Sequence, residues 1–216
     1  MEIIPAILES DWASVENKIK LVEGLADWVQ LDVSDGQFVS NKTWANPQDL
    51  FLLKSDFNTE VHLMINEPWL KTEEWLSSPV RRVVVQVEAF SSAESVKFGE
   101  ILFTAKKYGK EVVWGFKIET SWEPYKELMQ SPHARVLFLS VEPGRQGQKF
   151  DERVIDKIQS LKQAHPHVKI AVDGGINLKN IESIKSAGTD VAVIGSGIFG
   201  SEYPGQAIQK LKSVFD

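Results

Sequence analysis

The sequence predicts an α/β protein built as a single (β/α)8 barrel, on three observations. Eight short apolar runs recur along the chain, separated by segments of helical period. The runs are nearly continuous in apolar character, which suits parallel strands covered on both faces. No Pro-, Gly- or Ser-rich linker or composition break interrupts the series, so residues 1–216 read as one domain. Eight right-handed βα units close on themselves as a barrel, here near the lower end of the usual size. The rival, an open doubly wound sheet, needs a Gly-rich turn after its first strand. Leu8-Glu9-Ser10-Asp11 offers none.

The first run, Ile3–Leu8, leads to a helix over Asp11–Glu23, where Trp12, Val15, Ile19 and Val22 recur at helical spacing and Gly24 ends it. Runs two and three, Trp28–Val33 and Glu60–Ile65, are followed by shorter helices near Pro47–Leu53 and Glu67–Leu76. Run four, Arg82–Val87, precedes a helix over Ser92–Tyr108 stopped by Gly109. Run five, Glu111–Ile118, is followed by a short helix near Trp122–Met129. Run six, Arg135–Val141, precedes Asp151–Ala164, which breaks at His165-Pro166. After run seven, Lys169–Val172, a helix over Asn177–Ala187 starts on an asparagine suited to capping and ends at Gly188. Run eight is Val191–Ile194, and Ala207–Phe215 is the last helix.

Composition narrows the function. With 43% apolar and 25% charged residues the chain is an ordinary globular protein rather than a disordered one. Zero cysteines exclude a disulfide framework, a zinc ribbon and a thiol nucleophile. Lys+Arg 24 against Asp+Glu 30 gives −6 with no long basic run, which speaks against a nucleic-acid partner. No stretch approaches the ~20 apolar residues of a membrane span. The start, Met1-Glu2-Ile3-Ile4-Pro5, carries no basic leader, so a cytoplasmic location is expected. A homo-oligomer is the expected state.

Barrels place their chemistry at the C-terminal strand ends and in the loops that follow. Asp32, His62 and Asp173 are polar residues set in such apolar ends, and a carboxylate there is costly unless a metal, a cation or a substrate answers it. Each alone reads as a buried residue satisfied by neighbours; the three together point to a divalent-metal site. Gly144–Gly147, Gly174-Gly175 and Gly195-Ser196 follow strands six, seven and eight. Glycines let backbone N–H groups approach an anion, so a phosphate is expected there. Glu88 and Glu142 read as loop structure or as acceptors behind the site, and Lys117 as barrel wall. The seven tryptophans read as packing, with Trp44 an alternative cover for the mouth.

At these residues the sequence resembles the ribulose-phosphate 3-epimerase family. The likeness rests on Pro5-Ala6-Ile7-Leu8, Leu31-Asp32-Val33-Ser34-Asp35-Gly36-Gln37-Phe38-Val39, Val61-His62-Leu63-Met64-Ile65, Val141-Glu142-Pro143-Gly144, Gly147-Gln148-Lys149-Phe150, Val172-Asp173-Gly174-Gly175 and Gly195-Ser196-Gly197-Ile198. Related decarboxylases need a lysine where Ser34 stands. The resemblance implies a metal-assisted, two-base epimerisation at C3 of a ketose 5-phosphate. Asp32 and Asp173 would be the acid–base pair and metal ligands, His62 a further ligand, and Met64 a residue over the metal. The phosphate would sit on Gly144, Arg145, Gln146, Gly147, Gly174, Gly175, Gly195 and Ser196. Gln30 stands where the family has a fourth, histidine ligand, and is a candidate ligand itself; the ion would be zinc, iron, manganese or magnesium. Ala6 replaces a substrate-touching serine, and Ser34 and Leu139 replace methionines. Two alternatives stand beside this: an epimerase or isomerase of another phosphorylated ketose, such as a hexulose 6-phosphate, and a non-catalytic phosphosugar-binding relative.

Overall fold

Parallel strands with no free edge form the centre of the molecule. The structure is a computed structural model that describes residues 1–54, 56–91, 94 and 96–214. Strands β1 (Glu2–Ile7), β2 (Trp28–Ser34), β3 (Asn58–Met64), β4 (Arg82–Gln86), β5 (Glu111–Phe116), β6 (Arg135–Leu139), β7 (Lys169–Asp173) and β8 (Val191–Ile194) pair in chain order. β8 then pairs β1 and closes the barrel, as the eight apolar runs predict.

The side-chain period of two decides what each strand contributes. On β2, Val29, Leu31 and Val33 pack into the layer under the helices, while Gln30 and Asp32 occupy the alternate, inward positions. On β3, Val61 and Leu63 take the outer layer and leave Glu60, His62 and Met64 inside. The apolar part of the interior is Ile4, Ala6, Val84, Val113, Leu137, Leu139, Val191 and Val193. Below them the barrel bottom is charged. Arg82 pairs with Glu60 at 2.6 Å and stacks 3.8 Å from the Trp28 ring. Burial lifts the Glu60 carboxyl to about 7 in spite of that guanidinium.

The outer helices are α1 (Trp12–Val22), α2 (Thr72–Leu76), α3 (Val96–Lys107), α4 (Arg153–Ala164), α5 (Ile181–Ala187), α6 (Ser196–Phe199) and α7 (Pro204–Lys212). α1 matches its sequence signals: Asp11 accepts from Ser14 N at 2.9 Å, and Gly24 follows the helix at φ 71°. Of the three short helices expected, those near Pro47–Leu53 and Trp122–Met129 are 3-10 turns, the latter broken at Tyr125, while Glu67–Leu76 starts as a 3-10 turn over Pro68–Leu70 and continues as α2. α5 starts at Ile181 because Asn177 caps a preceding turn instead, its Oδ1 accepting from Lys179 N. The start of the helix expected at Ser92 and the end of the one expected at Phe215 lie outside the described residues. Among the described residues no helix is long and apolar enough to cross a membrane.

Candidate active site

Asp32 and His62 are direct neighbours across the β2–β3 ladder, and Asp173 is the last residue of β7. Their inward positions at one height bring all three together. His62 Nδ1 lies 3.6 Å from Asp32 Oδ1 and 3.6 Å from Asp173 Oδ2. The three ligand-type atoms fall within 4.8 Å of one another, and all three residues are buried. Nδ1 is buried with no hydrogen-bond partner. An orphaned imidazole nitrogen facing two carboxylates fits a divalent cation.

The electrostatics agree with a site built around positive charge. Burial raises the Asp32 carboxyl, and the nearby Asp173 charge adds to it, while His62 and Gln30 act in the opposite sense. Burial disfavours a charged imidazole, yet the two carboxylates outweigh it and lift His62 to about 9.

Gln30, one inward position below Asp32, is wholly buried. Its Nε2 donates to Asp32 Oδ1 at 2.8 Å and to Asp173 Oδ2 at 2.9 Å, while its Oε1 has no partner. The side chain therefore turns its NH2 to the carboxylates, and its oxygen away from them.

Above the triad is a cavity of about 40 Å³. Met64, Gly144, Arg145, Gln146, Gly147, Gly174, Gly175, Gly195 and Ser196 all line it, together with Ala6 and Leu139. Gly174, at φ 105°, is required: a Cβ there would lie 2.3 Å from Val141 Cγ2. Gln146 reaches across the mouth and donates from Nε2 to the Ala6 carbonyl at 3.2 Å.

Residues 2–199 match the sequence profile of the Ribulose-phosphate 3 epimerase family. The chain belongs to that family. The ribulose-phosphate 3-epimerase of Mycobacterium tuberculosis is 32% identical over 97% of this chain and 91% of the relative. That of Aquifex aeolicus is 32% identical over 98% and 96%, and that of Schizosaccharomyces pombe 28% over 98% and 92%. Among solved structures, a 3-hexulose-6-phosphate synthase superposes with a TM-score of 0.73 at 16% identity, covering 99% of each chain. KGPDC from Streptococcus mutans in complex with D-R5P gives 0.75 at 10% identity, covering 98% of this chain and 95% of that one. These structural neighbours share the barrel. The protein is an isomerase of the epimerase type.

Behind the triad this epimerase carries a relay in which Glu88 is the acceptor that the sequence suggests, reached through Gln86, to which the sequence assigned no role. His62 Nε2 lies 2.7 Å from the Gln86 amide. In the amide orientation that satisfies both ends, Gln86 accepts from Nε2 and donates to Glu88 Oε2 at 2.8 Å and to the Gly115 carbonyl at 3.3 Å. Glu88 Oε1 in turn accepts from Lys117 N at 2.6 Å. Donation through Nε2 leaves Nδ1 as the lone-pair nitrogen of the neutral ring, aimed at the carboxylates. Gly115 on β5 makes the room, since a Cβ there would lie 2.5 Å from the Gln86 amide. The available signal was a glutamine inside the apolar run Val83-Val84-Val85-Gln86, the same kind of signal that picks out Asp32.

Trp44 packs, the first of its two expected roles, and does not cover the mouth: it is buried between Trp12, 4.9 Å away, and Trp75, 5.7 Å away, in the helix layer. The His165 ring is half-buried, 5.6 Å from Trp122.

Proposed function

We propose that this epimerase inverts C3 of a ketose 5-phosphate, converting D-ribulose 5-phosphate to D-xylulose 5-phosphate. One observation carries the reading: two buried carboxylates, from β2 and β7 three strands apart around the ring, converge below a single cavity. Asp32 and Asp173 are the two bases. One takes the C3 proton beside the C2 carbonyl, and the other returns a proton to the opposite face. Inversion needs such a pair, whereas a non-catalytic phosphosugar binder does not. Asp32, His62 and Asp173 would hold a divalent cation, zinc, iron, manganese or magnesium, whose positive charge offsets the negative charge developing on the substrate oxygens. Burial of the pair keeps bulk water from the abstracted proton.

The substrate's phosphate is assigned to the rim of Gly144–Gly147, Gly174, Gly175, Gly195 and Ser196, where glycine backbone can approach an anion closely. Arg145 is exposed on that rim and adds a cation to it. The test is proton exchange in D2O at saturating Mn2+ or Zn2+. Ribulose 5-phosphate should gain one deuterium at C3 as xylulose 5-phosphate forms, and unphosphorylated ribulose should not. Absence of C3 exchange on the 5-phosphate, with exchange on a hexulose 6-phosphate, transfers the assignment to the longer ketose. Exchange on neither overturns it.

A further inference from the structure

Gln30 presents a chemical choice that its position settles. An amide side chain in this place could ligate a cation through its oxygen or hold the carboxylates through its nitrogen. Both N–H directions are used, on Asp32 Oδ1 and Asp173 Oδ2, and these are the oxygens closest to His62 Nδ1. Turning the amide over would set Oε1 against two carboxylate oxygens. The reversed rotamer therefore exchanges two charge-assisted bonds for two repulsions.

We infer that Gln30 is a positioning residue, a neutral donor clamp on the acid–base pair, and not a cation ligand. The inference rests on the assignment of Asp32 and Asp173 as that pair. Two buried anions this close repel, and each would drift or take up a proton. The Gln30 NH2 gives each of them one hydrogen bond from a charged-to-neutral pair and ties both to one rigid point on β2. The clamp works whether or not a cation is bound, so the spacing of the bases persists through the catalytic cycle. It also divides the labour of the carboxylate oxygens. Asp32 Oδ1 and Asp173 Oδ2 are engaged by Gln30. Asp32 Oδ2 and Asp173 Oδ1 have no hydrogen-bond partner among the described residues, and they are the oxygens left to carry the C3 proton.

The experiment uses the intact protein and needs no substrate, so it is independent of which ketose is turned over. Side-chain amide signals of 15N-glutamine-labelled protein are recorded metal-free and with saturating Zn2+. The Gln30 pair is assigned by its absence in Gln30→Met. The expected result is a pair of downfield, exchange-protected NH2 protons in both states. If Zn2+ moves them upfield and exposes them to exchange, the amide has turned to ligate through Oε1 and the clamp is wrong. Unprotected protons in the metal-free protein also overturn it. A protein that binds no cation but keeps the protected pair upholds the clamp while removing the cation from the proposed mechanism. For Gln30→Met, the clamp predicts a kcat at least about tenfold lower with KM within about twofold, since the bases are misplaced but the phosphate rim is untouched. Unchanged kcat in the folded variant overturns the positioning role.

Discussion

In the proposed mechanism Asp32 and Asp173 would each serve as a base, and each faces His62 as a charge, so amide replacements should be severe and local. We expect Asp32→Asn or Asp173→Asn to keep the circular dichroism spectrum of the parent and to lower turnover by about 10²–10⁴-fold, the usual worth of a positioned acid or base. Parent-like C3 exchange in either variant would remove that residue from the mechanism. The Gln86 relay makes a second, separable claim at this scale. Gln86→Met leaves Nε2 without its acceptor and frees the ring to change tautomer. Cation affinity should then fall by about 10–100-fold, as is typical when a ligand's supporting bond is lost. Calorimetric titration with Zn2+ measures it. The triad itself was legible in sequence because a charged side chain in an apolar strand end stands out. The role of Gln86 was not, because it depends on a glycine in the next strand making room for the side chain.

At the scale of elements, the strand periods carried most of the information. Each of the eight apolar runs became a strand, and the period of two placed Gln30, Asp32, His62 and Asp173 inside. The short helices were harder to read, since a proline in the first turn and few apolar anchors permit a 3-10 turn as readily as an α-helix. The turn after β7 is the element most exposed to substitution. Gly174 combines a φ of 105° with contact against Val141, and its carbonyl accepts from Ser140 Oγ at 2.5 Å. Gly174→Ala should cost about 1–3 kcal/mol from backbone strain alone, before the clash is counted. Urea unfolding checks this. A variant as stable as the parent would mean that the turn adapts.

Over the whole molecule, one half-buried amine should leave a mark on the pH dependence of stability. Lys157 on α4 donates to the Lys117 carbonyl at 2.5 Å, and its Nζ lies 4.8 Å from the Phe138 ring centroid. Burial lowers its pKa from 10.5 to about 8. Between those values the unfolded chain holds the proton that the folded chain has released, so this group makes stability rise with pH across that window. Comparing urea midpoints of the parent and Lys157→Met from pH 7 to 10.5 isolates the contribution. The parent should gain stability relative to the variant as pH rises. A constant difference would show that Lys157 keeps its ordinary pKa.

The division between sequence and tertiary structure follows from the range of the forces involved. Strand order, the inward set of polar residues and the glycine-rich turns are local patterns: alternation along a strand and the need for positive φ are properties of a few consecutive residues. They were readable from the chain alone, and with them the barrel and the Asp32, His62 and Asp173 site. Three other features belong to the closed barrel. Gln30 meets Asp173 only because β7 and β2 are brought round to the same height across 143 residues of chain. Trp44 is drawn into the helix layer by Trp12 and Trp75. The free nitrogen of His62 is selected by Gln86 from the neighbouring strand. Which atom of an amide or an imidazole faces a partner is decided by hydrogen bonds between distant segments, and those exist only once the ring of strands has closed.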